Sequence, residues 1–161
     1  MAESTGGVGG SGGTNGAAGG ADASQDSSVE SKVDKAQDEA EVADFAAQQA
    51  TTMETKIANT LAAIDSLVGS IGQTDLAQAS ADAASFAESV NVSLESQVSA
   101  AAKAADRAAD LAADIASDPR STPSDIAAGF AAERKASEAA GRAAEAADKA
   151  REALGNSGYR A

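Results

Sequence analysis

The sequence predicts an all-α protein. Long, alanine-rich, coiled-coil-like helices, closed as a three-helix hairpin or paired between chains, follow a disordered glycine-rich N-terminal arm. Three observations carry this. Alanine, the strongest intrinsic helix former, supplies 44 of the 161 residues. From Val29 onward apolar residues recur at alternating steps of four and three, the spacing that keeps one face of a helix turned toward a partner. Both prolines, Pro119 and Pro123, fall between the periodic stretches and not inside them.

The arm, residues 1–28, contains the run Gly6, Gly7, Val8, Gly9 and Gly10 and, after Met1, no apolar side chain larger than Val8. Glycine loses the most backbone entropy on ordering, so such a segment is expected to behave as a flexible coil. Its Gly7-Val8-Gly9-Gly10-Ser11-Gly12 run fits a dinucleotide-loop spacing, but no strand precedes it and no helix follows at once. That leaves it as linker.

The three-helix region is expected over residues 29–154, with helices at about 29–71, 75–118 and 123–154, and a flexible tail over 155–161. In the first helix Val29, Ala36, Ala43, Ala50, Ile57, Ile64 and Ile71 lie seven apart, and Val33, Ala40, Ala47, Glu54, Leu61 and Val68 fill the second seam position. Its larger side chains sit in the last half, and Gly69 and Gly72 provide a stop. The second helix starts from Thr74 as N-cap and presents Leu76, Ala79, Ala83, Phe86, Val90, Leu94, Val98, Ala101, Ala105, Ala108, Ala112 and Ile115. Those steps include a four-residue stutter near Leu94, which would locally unwind a supercoil. The third helix has the sharpest start signal, Thr122 as N-cap, Pro123 at the first helical position and Asp125 two residues on. Its stripe reads Ile126, Phe130, Ala136, Ala140, Ala143, Ala147, Ala150 and Leu154, with Glu138/Arg142 and Glu145/Lys149 as supporting pairs.

Composition removes several function classes. The chain has no Cys and no His, so thiolate or imidazole chemistry and zinc sites of the usual kind are unavailable to it, and no cofactor is expected. The amino terminus lacks the basic start and apolar run of a secretory signal, and no apolar run approaches the roughly 20 residues of a membrane span. The expectation is a soluble protein, cytoplasmic or exported without a cleaved leader. The net charge of −13 disfavours nucleic acid. Residues 119–161 alone carry an excess of bases, with seven against six acids.

Two charged groups stand out. Asp106, Asp110, Asp114 and Asp118 recur every four residues, so like charges adjoin along one helix at a cost of a few tenths of a kcal/mol each. A solvated face neutralised by the third helix, with Arg134 and Lys135 beside Asp106 and Asp110, is the favoured reading; a cation site or an external basic partner are the alternatives. Arg134, Lys135, Arg142, Lys149 and Arg151 are interleaved with Glu133, Glu138, Glu145 and Glu152, which describes a salt-bridged surface more than a polyanion site.

The stretch from Ala139 to Ala150 resembles the alanine-rich repeats of late embryogenesis abundant proteins, and the layout of small-residue start followed by helices is similar to substrates and filament subunits of bacterial type III secretion. Neither likeness assigns a family. The functional expectation is a non-enzymatic assembly protein that pairs its stripes with copies of itself or with partner helices. A conditionally folded acidic protective protein and an acidic decoy for basic proteins are the alternatives.

Deleting residues 1–28 should leave the helical content per molecule nearly unchanged by circular dichroism, because the arm brings no side chain to a core.

Overall fold

The computed structural model describes residues 28–68 and 73–156, with the backbone alone for residue 68 and residues 73–76. Three helices account for almost all of this: α1 (Val29–Val68), α2 (Gln73–Ser117) and α3 (Pro123–Asn156). The all-α fold is as expected. The expected arm over residues 1–27, Ile71 and the glycine stop around it, and the tail from residue 157 lie outside the described residues, as do the side chains of Val68 and Leu76.

Ser28 is the N-cap of α1, its hydroxyl accepting from the Ser31 amide at 3.1 Å. It thus belongs to the helix start, one residue inside the segment assigned to the arm. α3 runs on through Gly155 to Asn156, past the expected stop.

The helices form an up-down-up bundle. Lys32 meets Asp118 and Glu39 meets Arg107, so rising numbers in α1 match falling numbers in α2. Asp44 meets Arg142, and Glu54 lies near Lys149, so α1 and α3 run parallel. The hairpin form is therefore the one adopted, and the apolar stripes close on one another within the chain.

Alanine makes most of the core. In α1 the buried positions include Ala36, Ala40, Ala43, Ala47, Ala50, Ile57, Leu61 and Ile64, the residues picked out by the four-three spacing. In α2 the seam is Ala83, Ala87, Val90, Leu94, Gln97, Ala101, Ala104, Ala108, Leu111 and Ile115, all buried or half-buried. In α3 it is Gly129, Ala132, Ala136, Ala139, Ala143, Ala146 and Ala150. The α3 run keeps an unbroken four-three alternation; in α2, Gln97 and Val98 past Leu94 are both half-buried, and Ala112 is buried beside half-buried Leu111.

These seams correct two positions. Phe86 and Phe130 are 43% and 48% exposed, and the seam places fall to Ala87 and to Gly129 and Ala132. Small residues let helix backbones approach closely, and a phenyl ring between them would separate the alanine pairs above and below it. Gly129 shows how close the approach is: a Cβ there would lie 3.0 Å from the Ile115 Cδ1 and 3.5 Å from the Ala112 Cα. The buried Ile115 side chain takes the space that the glycine leaves open. No polar or charged residue is buried among the described residues.

In such a core added volume is harmful. Ala136→Leu should destabilise the fold by about 1–3 kcal/mol in chemical denaturation, although leucine is the more hydrophobic residue; a gain in stability would show that the helices are not closely packed there.

Candidate interaction surface

With the stripes enclosed, the surface of the described residues consists of the outward faces and the seam margins. Cross-helix ion pairs sit at all three margins. Between α1 and α2, the Arg107 Nε donates to the Glu39 Oε1 at 2.8 Å. Between α1 and α3, the Arg142 guanidinium donates to Asp44 at 2.5 Å, and Gln48 donates to the other carboxylate oxygen at 3.0 Å. The hydrogen bond from Arg142 holds the Asp44 carboxyl below its ordinary range. Between α2 and α3, Arg151 lies 3.6 Å from Glu95. These positions flank the seams in the heptad frame, and the sequence spacing contained them; assigning them needed knowledge of which helix lies on which side.

The turn between α2 and α3 is the most densely bonded segment. Asp118 accepts from the Arg120 amide at 3.0 Å, its Nε at 3.0 Å and its Nη2 at 2.8 Å, with Lys32 Nζ 3.7 Å away. Its side chain is 7% exposed, and the Arg120 hydrogen bonds hold the carboxyl well below the usual carboxylate range. The Ser121 hydroxyl donates to the Ile115 carbonyl at 2.6 Å. The Asp125 amide donates to Thr122 Oγ1 at 3.2 Å and the Thr122 amide donates to Asp125 Oδ2 at 2.8 Å, the reciprocal capping pattern expected from the sequence.

The expected electrostatic interface forms differently. Asp106, Asp110 and Asp114 are exposed, and no ion pair among the described residues joins any of them to Arg134 or Lys135. A four-residue step advances about 40° around a helix of 3.6 residues per turn, so the four aspartates wind from the outer face at Asp106 inward to Asp118. The row Lys135, Arg142, Lys149 faces α1: Arg142 binds Asp44 in place of Glu138, and the charge of Lys135 also bears on Asp44. Arg134 is exposed. The Glu145/Lys149 pair closes at 2.8 Å as expected.

Of the seam residues named from sequence, Ile57, Leu61, Ile64, Leu94 and Ile115 are buried, and Val90, Val98, Ile126 and Leu154 are half-buried. All three phenylalanines lie outside: Phe45 is 62% exposed, beside Val42 one turn away at 47%, and Phe86 and Phe130 are on the other two helices. Leu67 and Val92 are likewise exposed.

The hollow between α1 and α3 is a surface groove lined by Gln48, Thr51, Thr55, Lys56 and Arg142, and the Thr51 and Thr55 hydroxyls donate to Ala47 and Thr51 carbonyls of their own helix at 3.0 Å each. Among the described residues no group of acids is placed to hold a metal ion, and no helix is long and apolar enough to cross a membrane.

Asp118 couples stability to pH. Its carboxyl is depressed in the folded state, so its contribution is complete above the unfolded value near 3.9 and is lost as pH falls below it. Asp118→Asn should therefore lower the melting temperature at neutral pH and flatten its decline below about pH 4; an unchanged acid limb would detach the pair from stability.

Comparison with known protein families, with curated proteins and with solved structures finds no match to this chain.

Proposed function

We propose that the chain is a non-enzymatic helical scaffold that works by docking other helices on its outer surface. The observation that carries this is the inversion of side-chain size. Alanine fills the core while Phe45, Phe86 and Phe130, the three phenylalanines of the chain, stay exposed. Aromatic side chains bring large contact area to an interface and are enriched there. Outside the seams they contribute little to folding and remain available for association. The intrachain closure of the stripes favours docking on the finished bundle over pairing of open stripes.

A photoreactive phenylalanine analogue in place of Phe45, Phe86 or Phe130, in the cell that makes the protein, should yield discrete heavier adducts. The same analogue at exposed, polar Asn59 should yield none. Absence of adducts from all three positions, with helicity intact, would overturn the reading.

A further inference from the structure

α3 is the shortest helix, and its end leaves part of the bundle with two helices. Opposition of Arg142 to Asp44, and proximity of Lys149 to Glu54, set Asn156 level with about residue 59 of α1. The Arg151–Glu95 pair sets it level with about residue 90 of α2. Beyond that level α1 continues to Val68 for about ten residues, or ~15 Å. The channel that α3 occupies lower down is thus continued, without α3, along the α1–α2 hairpin.

The continued channel keeps the lining that suits a closely packed helix. The α1 row that faces α3 runs Asp44, Thr51, Ala58, Asp65, and Ala62 lies beside it. The α2 row that faces α3 contains Ala112, whose Cα adjoins Gly129, and in steps of seven it reaches Ala84 and Ala77, with Ala81 alongside. Ala58, Ala62, Ala77 and Ala81 are exposed. Ile57 and Leu94, beside α3, are 0% exposed, whereas Leu61 and Ile64 rise to 6% and 7%.

Charge indicates what belongs there. Glu88 repeats the position of Glu95 one heptad on, and Asp65 repeats that of Asp44 three heptads on. Lower down, α3 gives each of these acids an arginine. Glu88 and Asp65 are exposed, and no ion pair reaches either among the described residues. From Ile57 to Ala102 the chain contains Asp65, Asp75, Asp82, Glu88 and Glu95 and no Lys or Arg. At the boundary, the Asn91 Oδ1 is buried and accepts no hydrogen bond.

Resting on the docking function above, we propose that this channel receives a basic amphipathic helix of a partner protein, lying in line with α3 and setting cations against Asp65 and Glu88. Charge argues against a second copy, since two hairpin ends would oppose acids to acids with no base between them.

The probe is a fluorescent synthetic alanine–leucine heptad helix with lysines flanking its apolar stripe, and a matched peptide with glutamates there. Binding to the full chain is read by anisotropy. At low salt the lysine peptide should bind about tenfold tighter than the glutamate peptide, and salt should narrow the gap. Ala62→Lys with Ala81→Lys, both at exposed sites, should weaken the lysine peptide about tenfold through lost charge complementarity and blocked access, while Ser99→Ala, at an exposed site of α2 alongside α3 and outside the channel, should leave it unchanged.

Equal binding of the two peptides, or binding indifferent to the lysine substitutions, would overturn the proposal. So would a chain that binds the peptide only after residues 157–161 are removed, which would give the channel to its own tail, or a wild-type dimer abolished by the same lysines, which would give it to a second copy. Should the lysine peptide fail to bind while the phenylalanine positions cross-link, this channel is wrong and the docking function stands.

Discussion

Close approach of helix backbones is the constraint on which the rest of the molecule depends. A seam built from Ala101, Ala104 and Ala108 on α2, or from Ala136, Ala139 and Ala143 on α3, buries little area per residue. It stabilises the fold only if the axes come near enough for backbone and Cβ atoms to touch along their length. Several features answer to that. Gly129 sits where Ile115 needs room, the phenylalanines are displaced to the surface, and polar residues are absent from the buried set. Of the few large buried side chains, Ile57 and Leu94 lie at about the same level of the bundle and Ile115 lies near the opposite end.

Charge is distributed to suit the same geometry. α1 and α2 are acidic, whereas α3 carries acids and bases in nearly equal number, so the third helix offers cations to the other two while adding little net charge. Exposed pairs of this kind contribute about 0–1 kcal/mol each, and their larger effect is on orientation. Arg142 with Asp44 and Glu39 with Arg107 fix which flank of α1 meets which neighbour.

Much of this was legible in the sequence, and the exceptions share a cause. The α1 seam was readable because its four-three spacing is sustained over six heptads, which outweighs the larger Val42 and Phe45 beside Ala43 and Ala46. In α2, Phe86 and Ala87 compete for one place, and size favoured the wrong one; close packing, a property of the whole bundle, selects the smaller. The Thr122–Asp125 capping pair was readable because it is local. The partners of Arg142 and Lys135 were not, since the choice between Asp44 on α1 and the α2 aspartates depends on the handed arrangement of three helices, which spacing along one chain does not encode. What the surface does was legible only as composition: the acids of residues 57–102 were countable, but that α3 ends short of them belongs to the folded register.

A seam of near-identical alanines also carries little information about its own alignment. Sliding α3 by one heptad would set alanine against alanine again over most of its length, and no buried polar residue of α3 stands in the way as it does where a single such residue fixes register. What holds the alignment is concentrated at one end, in the Gly129–Ile115 fit, the Ser121 hydroxyl on the Ile115 carbonyl and the capped, proline-led start of the helix. The third helix is thus gauged like a ruler clamped at its zero mark. Its far end lies where the length of the helix puts it, and the stretch of hairpin left beside no third helix follows from the end of that helix at Asn156.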